Sequence, residues 1–228
     1  MRIARPCSFT LIALLLYSAS AFAHRPLSIG QSYPDAARAL VVEELEVSQV
    51  VYAELTGQAS QLWLSFAGEE GELLYLSVGI PVLERLRDFR PSLVLLGPGL
   101  PEVALPFAFA VPTGWGGLVL DTAGRADPRV FHEPITDTSS WVLLEQWVSL
   151  LRTGHYYLVA YSPERSAGKL WVALGEREAF GPADILQLPT VIAQVRQFHE
   201  VAPGPGWART IALVAGLGLI LILWLSAR

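Results

Sequence analysis

Cysteine is almost absent from this 228-residue chain. The single cysteine, Cys7, lies in an N-terminal stretch that we expect to be removed on export. The expected mature protein therefore has no thiol for a disulfide or for thiolate catalysis, and no cysteine for lipid attachment. Any membrane attachment has to come from another part of the chain.

Positive charge is also scarce. Lys169 is the only lysine, and 16 basic residues against 21 acidic ones give a formal net charge of -5. A protein that binds nucleic acid needs a basic stripe to contact phosphates. The sequence therefore predicts no nucleic-acid partner.

The common catalytic signatures are missing as well. The chain has no G-x-S-x-G elbow and no glycine-rich phosphate loop that opens a helix. The pairs His132-Glu133 and His199-Glu200 do not continue as the zinc-binding H-E-x-x-H pattern. We therefore expect a binding protein and not an enzyme.

The N-terminus has the pattern of a secretory signal. Arg2 and Arg5 precede an apolar stretch at 11–16, and small residues lead up to Ala23. This apolar run is too short for a membrane span. We predict a signal peptide at 1–23 and a mature chain that begins at His24.

The C-terminus carries a long uncharged apolar run at 210–227. At about 1.5 Å per residue, a helix of this length just crosses a hydrocarbon core of roughly 30 Å. Trp207 and Trp224 lie near its ends, where interfacial aromatic residues are expected. We predict a linker at 203–209 and a single-pass anchor in the cell membrane, with the main domain on the extracytoplasmic side and the bilayer as one partner.

The region between the two termini has the pattern of a β-protein. Short runs alternate apolar and polar residues, or are continuously apolar, and glycine and proline separate them. Eight such segments predict an antiparallel β-sandwich of jelly-roll or Greek-key type at 24–179. They are residues 48–56, 61–67, 72–78, 92–96, 117–121, 141–151, 155–162 and 169–175. We expect the second and third to pair as a hairpin.

A helical pattern follows at 180–202, the predicted juxtamembrane segment. Pro189 is expected to divide it into two pieces. Its second piece carries an apolar stripe formed by Val191, Ile192, Val195 and Phe198. The stripe could pack on the sandwich or lie on lipid, and the lack of lysine and arginine on the polar face favours packing.

Two pairs of segments resemble the hairpins of bacterial pre-peptidase C-terminal domains. The glycine- and tyrosine-rich stretch at 154–162, followed by 168–175, is similar to the closing hairpin of these secreted β-sandwiches. The stretches at 62–66 and 71–76 are similar to the opening hairpin. The resemblance implies a sandwich fold and an accessory role in binding, targeting or export, and some members of the family bind calcium. We expect this chain to differ from those modules in having no attached enzyme.

The most polar region is the stretch 121–138, which we expect to be a loop. Asp127, Glu133 and Asp137 are its candidate ligand-binding residues, because calcium is coordinated by several carboxylate and carbonyl oxygens. The alternative is a solvated connection, which the absence of closely spaced aspartates favours.

A copper site is the alternative chemistry. Cleavage before His24 would place a free amine and an imidazole on one residue, and His132 or His155 could supply another imidazole. These donors suit Cu(II). The competing interpretation is that His24 is simply an exposed chain start.

The tryptophans are the remaining candidates. We expect most of those at 63, 115, 141, 147 and 171 to be buried in strands, although some could form a sugar-stacking platform. Together these features predict a membrane-anchored extracytoplasmic binding or scaffolding module. It would be an accessory subunit that contacts another membrane or extracytoplasmic protein, with periplasmic copper binding at His24 as the alternative.

Overall fold

A computed structural model describes residues 24–125, 128–179, 181–202 and residue 216. The predicted signal peptide and linker lie outside this part of the chain, and so does the predicted membrane span except for residue 216. Among the described residues, no helix is both long enough and apolar enough to cross a membrane.

The described residues form eleven strands and one long helix. In chain order these elements are β1 (Arg25–Ile29), β2 (Leu40–Val41), β3 (Gln49–Leu55), β4 (Gln61–Gly68), β5 (Leu73–Pro81), β6 (Ser92–Pro98), β7 (Trp115–Leu120), β8 (Arg129–Glu133), β9 (Thr138–Ser149), β10 (Gly154–Tyr161), β11 (Gly168–Leu174) and α1 (Pro182–Phe198). All eight predicted strands are present with small shifts at their ends. The sequence pattern missed β1, β2 and β8, which are short strands at sheet edges.

The strands form two sheets. The six-stranded sheet has the order β1-β3-β11-β5-β9-β8, and the five-stranded sheet has the order β2-β4-β10-β6-β7. Neighbours are antiparallel except at two edges, where β1 pairs with β3 and β2 pairs with β4 in parallel. The prediction of a sandwich of two mostly antiparallel sheets is confirmed.

Both expected hairpins are wrong. The consecutive strands β4 and β5 lie in different sheets, and so do β10 and β11. The strand pattern shows which faces of a strand are buried but not which strand lies beside it. The last two strands instead occupy central positions, with β10 between β4 and β6 and β11 between β3 and β5.

Strand β10 illustrates how the sequence divides between two apolar layers. Leu158 and Ala160 point into the core between the sheets, whereas Tyr157 and Val159 point to the outer face of the five-stranded sheet. This split agrees with the predicted alternation. Full burial of each large apolar side chain in the core contributes about 1.5–3 kcal/mol.

The helix is continuous, so the predicted break at Pro189 is wrong. Proline removes one backbone donor, but apolar packing along the following turns holds the helix together. Ile192 and Val195 are each only 1% exposed, and Phe198 is also buried. The predicted packing of this stripe on the sandwich is confirmed, with Val191 half-buried beside it.

Candidate functional site

The outer face of the six-stranded sheet carries the candidate site. Helix α1 covers part of this face, and the aromatic residues Tyr52 and Phe131 pack around buried Trp171 there. Part of the remainder, on β5 and β9, is open to solvent. Two features of this face bear on function, a small cavity under α1 and an exposed group of apolar side chains.

The exposed group lies on the neighbouring strands β5 and β9. Tyr75 and Trp147 are directly opposite each other, and their ring centroids are 5.1 Å apart in an edge-on arrangement. Leu73 lies two residues before Tyr75, so it points to the same side of the sheet. Trp147 is 50% exposed and Leu73 is 65% exposed. We call Leu73, Tyr75 and Trp147 the aromatic patch.

Charged groups border the aromatic patch. The hydroxyl of Tyr75 donates a hydrogen bond to Glu145 Oε1 at 3.1 Å, and Arg129 Nη2 donates to the same oxygen at 2.9 Å. Burial, together with the negative charge of Glu145, raises the pKa of Tyr75 to about 12. The hydrogen bond that the phenol donates to Glu145 holds the ring of Tyr75 in place.

A cavity of about 40 Å³ lies between α1 and the sheet. Helix residues form one wall, and His24, Tyr52, Glu133 and Thr136 contribute polar groups to the other. Burial raises the pKa of Glu133 and lowers the pKa of His24. Burial also raises the pKa of Tyr52. The surroundings thus favour the neutral forms of these groups, and the volume suits a water molecule better than an organic ligand.

The three histidines of the predicted copper set are not brought together. His24 Nδ1 lies 2.5 Å from Ser48 Oγ, at the β1 edge of the six-stranded sheet. His132 is on β8, at the opposite edge of that sheet, with Nε2 3.7 Å from Asp137 Oδ1. His155 is on β10 of the other sheet. Within the described part of the chain, no cluster of three histidine or acidic residues could hold a metal ion.

The predicted calcium ligands are only partly described. Asp127 lies outside the described residues. Glu133 ends β8 and its Oε1 accepts a hydrogen bond from the Ile135 backbone at 3.1 Å. Asp137 is exposed and its Oδ2 lies 3.3 Å from Arg196 Nη1. The prediction that all of 121–138 is a loop is wrong at β8, where residues 129–133 pair with the start of β9 as an edge strand.

Two buried polar residues at the C-terminal end of α1, Arg196 in its last turn and His199 just after it, tie the helix to the β8–β9 turn and to β9. Arg196 is 6% exposed and donates from Nη1 to Thr136 O at 2.8 Å and from Nη2 to Ala202 O at 2.9 Å. His199 Nδ1 donates to Val195 O at 2.9 Å, and its Nε2 lies 3.1 Å from Ser140 Oγ. Sequence reasoning missed both residues, although they continue the helical spacing of the apolar stripe.

The five tryptophans divide into three groups. Trp63 and Trp171 are buried, as expected for strand aromatics, whereas Trp115 and Trp141 are half-buried. Trp147 is the most exposed of the five. The aromatic patch was not predicted as a unit, since its members come from strands separated by about seventy residues of sequence.

No family model matches the chain, and no curated protein matches it. The similar solved structures include the pre-peptidase C-terminal domain of collagenase from Bacillus anthracis. It is 12% identical with a TM-score of 0.31, over 60% of this chain and 93% of that domain.

Two further solved structures show similar values. PliG, a periplasmic inhibitor of g-type lysozyme from Aeromonas hydrophila, is 14% identical with a TM-score of 0.32, over 67% of this chain and 98% of its own. CorA, a surface-associated copper-binding protein of Methylomicrobium album BG8, is 8% identical with a TM-score of 0.33, over 66% of this chain and 100% of its own. The weak resemblance to pre-peptidase C-terminal domains, first noted in the sequence, is thus also found among the solved structures.

Proposed function

We propose that this chain is a membrane-anchored extracytoplasmic binding module that contacts another membrane or extracytoplasmic protein through the aromatic patch. The observation that carries the proposal is the exposure of Trp147 and Leu73 on a sheet face whose other large apolar residues are mostly covered. A contiguous apolar patch with a charged border is typical of a protein contact surface.

The chemistry of the patch supports a protein partner. Tryptophan, tyrosine and arginine are the residues that contribute most often to binding energy at protein interfaces, and all three are present as Trp147, Tyr75 and Arg129. Leu73 extends the surface with an aliphatic side chain that has no polar group. The exposed Arg129–Glu145 ion pair lies beside it and offers charge for orientation of the partner more than for affinity.

The proposed anchor limits where the partner can be. We propose that cleavage after Ala23 exports the chain and that residues 210–227 hold it in the membrane. The seven linker residues 203–209 extend at most about 25 Å, even when fully stretched. A domain on so short a tether stays beside the bilayer, which supports a membrane protein or its extracytoplasmic part as the partner.

The test of this proposal is co-purification from native membranes in mild detergent, with partners identified by mass spectrometry. The full chain is compared with Trp147→Ser and with the control Val41→Ser, which changes a 61%-exposed apolar residue on the other sheet. Loss of an interface hot spot weakens binding by about thirtyfold or more. We expect a specific partner to be lost with Trp147→Ser and retained with Val41→Ser.

Equal recovery of the same partner with both variants would overturn the assignment of the patch. The anchor is tested separately by deletion from Trp207 onward. The shortened chain should be released as a soluble extracytoplasmic domain, and its retention on washed membranes would contradict the proposed span.

A further inference from the structure

The outer face of the five-stranded sheet is crossed by an extended segment, residues 101–112, which we call the strap. Its ends are fixed to the sheet region by two backbone hydrogen bonds, from Gly117 N to Pro101 O at 2.8 Å and from Trp115 N to Pro112 O at 3.0 Å. Among the hydrogen bonds of the described residues, none involves 102–111. Between its ends, the strap is therefore held by the packing of its side chains and not by hydrogen bonds.

Alternate side chains of the strap face the sheet. Leu105, Phe107 and Phe109 are half-buried, whereas the intervening Pro106 and Ala108 are exposed. This period of two is that of an extended segment lying flat on a surface. Proline at three positions, Pro101, Pro106 and Pro112, keeps the segment extended and prevents it from joining the sheet as a full strand.

The surface beneath the strap is aromatic. The ring of Trp63 lies 5.6 Å from that of Phe107 and 5.0 Å from that of Phe109, between ring centroids. Tyr161 lies 5.7 Å from Phe107, and Tyr157 lies 6.0 Å from Phe109. We call Trp63, Tyr157 and Tyr161, with the buried floor of Val94, Leu96 and Val159, the aromatic groove.

We infer that the aromatic groove is a peptide-binding site and that the strap is its occupant in the free protein. The site would take an extended, proline-containing segment of a partner protein with aromatic residues two positions apart. Grooves lined with aromatic side chains recognise such segments because they are already extended and lose little entropy on binding. The strap shows the side-chain pattern that the groove accepts.

Displacement of the strap breaks few polar interactions. The strap leaves the groove without loss of any strand-to-strand hydrogen bond, so its opening needs less free energy than opening of the sheet. The groove that it uncovers is apolar and requires a new cover. A tethered strap competes at an effective concentration in the millimolar range, so that only a well-matched partner segment replaces it.

The two ends of the strap are joined at its base by a backbone hydrogen bond. This bond indicates that the partner is a different protein and not a second copy of this chain. Gly99 N donates to Gly114 O at 3.2 Å, and these two residues adopt φ values of 78° and 80°. This bond closes the strap into a loop whose ends leave from the paired strands β6 and β7. Exchange of straps between copies would have to open this base, whereas displacement by a partner segment does not.

The test uses the full chain in lipid nanodiscs and a synthetic peptide with the sequence of residues 103–113. The variant Phe107→Ala/Phe109→Ala empties the groove of its own aromatic rings, and Ala108→Ser/Ala110→Ser is the control on the exposed side of the strap. Calorimetric titration should show one peptide bound per opened chain. Binding to the unmodified chain and to the control should be at least about tenfold weaker, because the strap competes.

A second peptide, in which alanine replaces both phenylalanines, should not bind the opened chain. Thermal unfolding of each variant checks that the sandwich is intact. Failure of the opened, folded chain to bind the first peptide would overturn the inference. Sedimentation checks whether two copies exchange their straps. If the unmodified chain is a dimer and the double alanine variant is not, the inference is also overturned, because the occupant of the groove would then be a second copy.

Discussion

The two outer faces of the sandwich are covered by different kinds of structure. Helix α1 satisfies most of its backbone hydrogen bonds internally and adds the buried polar contacts of Arg196 and His199. Between its fixed ends, the strap makes no hydrogen bond with the described part of the chain and packs through its side chains. Helix α1 is thus part of the folded structure, whereas we propose that the strap is a cover that a partner segment replaces.

The largest expected effect comes from a charge placed under the helix. Ile192→Asp buries a carboxylate between α1 and the sheet, where Ile192 is 1% exposed. An unpaired buried charge should destabilise the domain by about 4 kcal/mol or more. Urea unfolding measures this change, and Gln194→Asp on the exposed side of the same helix is the control. Equal stability of the two variants would show that α1 is not part of the folded unit.

The same deletion on each cover compares them directly. Phe198→Ala on α1 removes a buried ring and should cost about 3 kcal/mol in unfolding free energy. Phe107→Ala on the strap removes a half-buried ring and should cost about 1 kcal/mol, because part of its surface already contacts water. Similar losses in both variants would mean that the strap is as firmly held as the helix.

The third prediction compares a buried arginine of α1 with an exposed arginine elsewhere in the domain. Arg196→Met leaves the carbonyl oxygens of Thr136 and Ala202 without their donor and should cost about 1–3 kcal/mol. The exposed Arg87, whose only ionic partner among the described residues is Glu84, is the control, and Arg87→Met should change stability by less than about 0.5 kcal/mol. Chemical denaturation of the two variants under one set of conditions decides between these expectations.

The smallest expected effect is on pH dependence. Burial lowers the pKa of His199 below its ordinary value of 6.5, with nearby Lys169 contributing. The unfolded chain therefore takes up a proton before the folded chain does, and stability falls as the pH drops from 6.5 through the folded-state pKa. Burial acts on His24 in the same direction, whereas Glu133, whose pKa is raised, opposes it at lower pH.

The variant His199→Gln should have a shallower loss of stability between pH 7 and the folded-state pKa of this residue. Unfolding midpoints measured at a series of pH values test this. An unchanged slope would show that protonation of His199 is not linked to unfolding.

The sequence predicted the strands better than their arrangement. Alternation and turn residues located eight strands, but β4 and β10 are apolar on both faces because the strap and its neighbours cover the outer one. Because these strands lack an alternation of apolar and polar residues, their sequences do not indicate to which sheet they belong. Pro189 suggested a break that the packing of α1 overrides.

The candidate site could not be predicted from the sequence, because the aromatic patch is formed by residues that are distant along the chain. Trp147 has the same residue type as the buried Trp63, and only the pairing of β5 with β9 places it in the open beside Tyr75 and Leu73. Likewise, the sequence of 121–138 left open a calcium site beside the favoured solvated connection, and in the structure Glu133 and Asp137 have separate hydrogen-bond or ionic partners.

The central positions of β10 and β11 have a consequence for the timing of folding. Until residues 154–174 are available, β4 and β6 have no strand between them, and neither do β3 and β5. Both sheets must therefore close late, through contacts between distant parts of the chain, which makes folding slow. If the chain is exported as we propose, with its N-terminus first, it would stay open for most of its passage and would fold only after the last strands had crossed.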